Sequence, residues 1–104
     1  MDDEDVTDDQ LIAGTWLIRF GSMSKTENKL MQERALSAED AEDVAAEAAL
    51  RLIASSPREL RMSFELVCSW HRWNFAYEMA DKKQNVAMMM EAQKNMDMLL
   101  RAVH

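Results

Sequence analysis

From Arg58 to His104 the chain contains neither glycine nor proline, and this run is close to half of its 104 residues. It carries two of the three tryptophans, two of the three phenylalanines, the only tyrosine and seven of the ten methionines. No turn-forming residue interrupts it and few β-branched residues favour a strand, so its apolar groups are buried only if it coils into helix. The expectation is an all-α fold: a small helical bundle with a helical hairpin, about 38–54 against 57–80, and a long or bent C-terminal helix.

A chain of this length is one domain or one subunit of an assembly. Residues 1–6 read as an acidic, flexible arm and 7–104 as a single helical domain. A monomer this short buries only about two-thirds of its unfolded surface, which leaves its stability marginal. Association with copies of itself is the favoured remedy, because long helices need neighbours.

The net charge of −7 is unevenly placed. Residues 1–50 hold 13 acids against 4 bases, whereas residues 51–104 hold 6 acids against 8 bases. Acidic side chains repel phosphates, so no direct binding to free nucleic acid is expected. The asymmetry serves solubility and pairing between the halves, or it offers an acidic surface to a basic partner, with Asp2, Asp3, Glu4, Asp5, Asp8 and Asp9 as its candidates.

Cys68 is the only cysteine, so an intramolecular disulfide is impossible and a secreted, disulfide-built fold is excluded. Met1-Asp2-Asp3-Glu4-Asp5 is the opposite of a signal peptide's basic start, and no apolar run approaches membrane-spanning length. A cytoplasmic protein fits best. A phage-encoded protein working in the cytoplasm of its bacterial host would share these features.

Four helix starts are legible. Thr7-Asp8-Asp9-Gln10 has the spacing of a capping box, with two aspartates at the positive end of the helix dipole. This first helix is expected over about 8–20, ended or kinked at Gly21-Ser22, and its apolar residues are too many for one narrow stripe. Ser24-Lys25-Thr26-Glu27 and Ser37-Ala38-Glu39-Asp40 mark starts for helices over roughly 25–35 and 38–54. Ser56-Pro57-Arg58-Glu59 is the strongest start, with serine at the cap, proline at the first helical position and glutamate at the third.

In 38–54 the residues Ala41, Val44, Ala45, Ala48 and Leu52 line one face. Small side chains let helix axes approach, and the natural neighbour is the following helix. Beyond Ser56, Leu60, Phe64, Val67, His71, Phe75 and Met79 make one stripe; Leu66, Trp70, Trp73, Tyr77 and Ala80 make a second. The polar run Asp81-Lys82-Lys83-Gln84-Asn85 exceeds a full turn. Either the helix breaks there, with Asp81 capping a new one, or it continues as a rod of about 70 Å, far longer than a compact domain of this size. A break or bend is favoured in a monomer, and a rod is equally credible in an oligomer.

Chemistry-bearing constellations are sparse. Glu65, Cys68 and His71 share a helix face, but two soft ligands fall short of the three or four that zinc sites use. A cysteine nucleophile needs a positioned base and an oxyanion pocket, usually on glycine-bearing loops. The residue three before His71 is cysteine rather than glutamate, so the paired Glu-x-x-His of di-iron bundles is missing. Gly14 and Gly21 fit neither common phosphate-binding pattern. No catalytic residue, metal or cofactor is expected.

Arg58, Arg61 and Arg72 lie near Trp70 and Trp73, a mixture that nucleotide binders use, although paired tryptophans are more often core. The methionines are the most suggestive group. Six of ten fall between Met79 and Met98, and Met88, Met89 and Met90 do not fit one stripe. Methionine adapts to irregular surfaces and is over-used in grooves that accept helices, so Met88, Met89, Met90 and Met96 are candidate contacts with protein partners, this chain itself among them. A loose core or subunit interface is the competing account.

His71-Arg72-Trp73 and Gln93-Lys94-Asn95-Met96, with Leu99, Leu100 and Arg101-Ala102-Val103, resemble pieces of the helical hairpin in phage proteins that sequester cyclic nucleotides. The likeness covers about fifteen residues. The gap between its pieces is longer than in that family and Asn95 stands at its glycine position, so no binding residues are carried over. Three functional readings follow: a protein–protein interaction or assembly protein; an inhibitor of phage counter-defence type whose acidic helices mimic nucleic acid; and a nucleotide or small-anion sponge holding its ligand between subunits near Arg58, Arg61 or Arg72.

Overall fold

The computed structural model describes residues 7–103, and the described chain is helical with short turns and no strand. Five α-helices follow one another: α1 (Asp8–Phe20), α2 (Met23–Glu33), α3 (Ala38–Ala54), α4 (Phe64–Lys82) and α5 (Val86–Ala102), with a 3-10 turn at Arg58–Leu60 before α4. The all-α expectation holds. The helices gather into two compact units, Met1–Ala54 and Ser55–His104. The expected flexible arm, residues 1–6, lies outside the described residues.

In the first unit α1, α2 and α3 pack on one another. The capping box at Thr7 is complete: the Gln10 N–H donates to Thr7 Oγ1 (3.2 Å) and the Thr7 N–H donates to Gln10 Oε1 (3.3 Å). Gly21 ends α1 with φ 63°, a left-handed conformation that glycine adopts at little cost, and its N–H reaches Leu17 O at 2.8 Å. The next cap is Ser22, not Ser24: its Oγ accepts from the Lys25 N–H, so α2 starts two residues before the expected start. The turn at Gly21 has already freed the backbone there, which makes Ser22 the first serine able to cap. Ser37 caps α3 as its spacing suggests, accepting from the Asp40 N–H at 3.1 Å.

The alanine face of α3 is buried at Ala41, Ala45, Ala48 and Ala49. Small side chains bring the axes close, and Leu17 of α1 and Leu30 of α2 fill the space as fully buried residues of the same unit. Within the first unit the neighbours of this face are α1 and α2. Thr26 is buried among them with its hydroxyl donating to Ser22 O at 2.9 Å, which satisfies the polar atom.

The second unit contains a helical hairpin, α4 folded back on α5, with the 3-10 turn packed against both. The strongest sequence start at Ser56-Pro57 yields only that turn. Leu60 N–H bonds to Pro57 O, while the Arg61 guanidinium donates twice to Ser56 O (3.2 and 3.1 Å), occupying the carbonyl that a continuing helix would have given to Leu60. The long helix begins instead at Phe64, capped by Ser63, which accepts from the Leu66 N–H.

At the polar run the helix breaks rather than continuing as a rod. Asn85 N–H reaches Ala80 O (2.8 Å) and Gln84 N–H reaches Asp81 O (3.1 Å), the bond pair of a Schellman motif, with Gln84 at φ 57° in the place glycine usually takes. Asn85, not Asp81, caps the next helix, its Oδ1 accepting from the Met88 N–H at 3.2 Å. Asp81 stays inside α4 because the reversal needs three residues after Lys82.

Candidate interaction face

Because α4 covers one side of α5, the buried residues of α5 are Ala92 and Met96, four apart, with Met89, Leu99 and Leu100 half-buried beside them. The opposite side is left to solvent. Val86, Met90 and Met98 lie along it at 64, 68 and 54% exposure, at steps of four and eight residues that keep them on one face. Between and beyond them stand Gln93, Lys94, Asp97 and Arg101. Met90, Gln93, Lys94, Asp97, Met98 and Arg101 line an open hollow of about 350 Å³. Gln93 Nε2 donates to Asp97 Oδ1 at 3.1 Å, fixing that carboxylate one turn along the helix.

The four methionines expected to act together are separated. Met88 and Met90 are exposed and Met89 is half-buried, as three consecutive helical residues must be when one face is covered. Met96 is only 5% exposed and packs in the interior of the second unit, out of reach of a partner of the folded hairpin. Met98, which the spacing argument passed over, takes its place on the outer face. Spacing could not have chosen between them: Met88 and Met96 are eight apart, and so are Met90 and Met98, so only the side covered by α4 decides. Phe75 and Met79 add exposed apolar surface on α4, four residues apart. Both were expected in a core stripe with Val67 and Leu60; a hairpin covers only one side of α4.

Among the acidic candidates, Asp2, Asp3, Glu4 and Asp5 lie outside the described residues. Asp8 is exposed in the first turn of α1. Asp9 is committed within its unit, accepting from Arg34 Nε at 2.6 Å. The arginines do not form one cluster by role: Arg58 is exposed in the 3-10 turn, Arg61 ties down Ser56 O, and Arg72 is exposed on α4 beside Cys68.

Cys68 is buried, and burial raises its thiol above the ordinary value of 9.0, with the positive charge of Arg72 pulling weakly the other way. A thiol held protonated at neutral pH is a poor nucleophile and a poor metal ligand. Trp70 and His71 meet edge to face at 5.1 Å, and His71 Nε2 lies 3.5 Å from Ser55 Oγ. Among the described residues no group of three or more His, Cys, Asp or Glu is placed to hold a metal ion, and no helix is long and apolar enough to cross a membrane. Comparison with protein-family models, with curated proteins and with solved structures gives no match to this chain.

Proposed function

We propose that this chain acts by binding rather than by catalysis, as a helical interaction protein whose contact surface is the outer face of α5. The observation that carries this reading is the line of Val86, Met90 and Met98, each more than half exposed, on a helix whose other face already serves the hairpin core. Flexible, polarisable thioethers conform to an incoming helix, and removing such a face from water is worth about 25 cal/mol per Å² of apolar area. The polar residues flanking the stripe give it the rim that protein contacts use. On α3, by contrast, the exposed Glu39, Asp40, Glu42 and Asp43 stand over a face of buried alanines, where they keep the first unit soluble.

The test is Met90→Asp combined with Met98→Asp, followed by analytical ultracentrifugation and circular dichroism. Both positions are exposed, so helicity stays at the wild-type level while association through the face is lost. A mass distribution identical to wild type after both substitutions refutes the reading.

A further inference from the structure

The six residues lining the α5 hollow are complementary to themselves. Turned about a two-fold axis level with the midpoint between Asn95 and Met96, the set maps onto itself: position 94 falls opposite 97, 90 opposite 101, and 93 opposite 98. The chemistry is complementary at the two central pairs. Lys94 meets Asp97 and Met90 meets the aliphatic stem of Arg101, while Gln93 and Met98 lie level at the two edges of the face. We propose that the occupant of this face is a second copy of the chain, its α5 running antiparallel to the first and held by two reciprocal Lys94–Asp97 pairs.

Charge selects this register over its rivals. A parallel pairing sets Lys94 against Lys94 of the other copy. An antiparallel pairing that stacks Met90 on Met98 also places the two Lys94 ammonium groups together. Only the register centred between Asn95 and Met96 brings opposite charges level and leaves both methionines covered. Lys94 has no ion-pair partner among the described residues, so it is available to the other copy. Gln93 holds Asp97 from its own helix, presenting the carboxylate in a defined position. The unit that carries the face is itself close to neutral, since residues 55–104 hold 6 acids and 7 bases, while the chain as a whole carries −7.

This inference rests on the reading of α5 as a contact face and specifies its partner and orientation. A single helix face is a small interface, so dissociation constants in the micromolar range are expected, about 1–100 µM. Sedimentation equilibrium of the full chain should therefore show a species of twice 12.0 kDa at high concentration. Lys94→Asp alone and Asp97→Lys alone each put like charges together twice and weaken association by about tenfold or more.

Two restorations follow. The double variant Lys94→Asp/Asp97→Lys recovers the wild-type constant within about threefold, and so does an equimolar mixture of the two single variants, because reversed pairs are again opposite in sign. Recovery in the mixture also shows that each single variant is folded. A wild-type chain that stays at 12.0 kDa across the concentration range overturns the proposal. Association that the single reversals leave untouched, or that neither restoration recovers, overturns the antiparallel register; if Met90→Asp/Met98→Asp still abolishes that association, α5 remains a contact face.

Discussion

Two methionines two positions apart, Met96 and Met98, meet opposite environments because successive helical residues turn by about 100°. Met96 is buried in the α4–α5 hairpin and Met98 stands in solvent. Met96→Ala removes packed atoms and leaves a void, costing about 2–3 kcal/mol, whereas Met98→Ala is expected within about 0.5 kcal/mol of wild type. Thermal melts at a concentration low enough to keep the chain monomeric separate the two; equal losses at both positions contradict the assigned faces. The same geometry explains why composition alone misleads here. Methionine is equally at home in a core gap and on a sticky surface, so its side is assigned only once the partner helix is known.

Helix ends show which local rules are strong enough to be read directly. Thr7–Gln10, Gly21 and Ser37 act where their spacing places them, because a cap is decided by bonds within three or four residues. Ser56-Pro57 is an equally good local signal and fails, since the side chain of Arg61 takes the Ser56 carbonyl and Ser63 offers a competing cap. The reversal after α4 is legible as a polar run but not as a turn, because Gln84 rather than glycine holds the left-handed position. That residue carries a penalty of about 1 kcal/mol relative to glycine in this conformation. Gln84→Gly is therefore expected to raise stability modestly, by up to about 1 kcal/mol after the entropy of the unfolded chain is counted, and Asn85→Ala to lower it by about 1 kcal/mol through loss of the α5 cap. Chemical denaturation of the two variants checks both signs; destabilisation by Gln84→Gly speaks against the Schellman turn.

The chain divides its charge and its apolar surface unequally. Residues 1–54 hold 13 acids against 5 bases around an alanine-lined three-helix unit, while residues 55–104 are nearly neutral and expose methionine, valine and phenylalanine. Because the proposed pairing links folding to association, the wild-type melting temperature is expected to rise with concentration by about 2–4 °C per tenfold, and that of Met90→Asp/Met98→Asp to stay constant. A wild-type melting temperature independent of concentration removes the link. Helical class and most of the helix ends were readable from residue order, since propensity, capping and spacing act over a few neighbours. Which helix covers the alanine face of α3, where the long C-terminal run folds back, and which methionines remain outside were decided only by the packed chain. Those outcomes depend on which apolar faces find each other across many residues, and several pairings of similar faces satisfy the same local pattern.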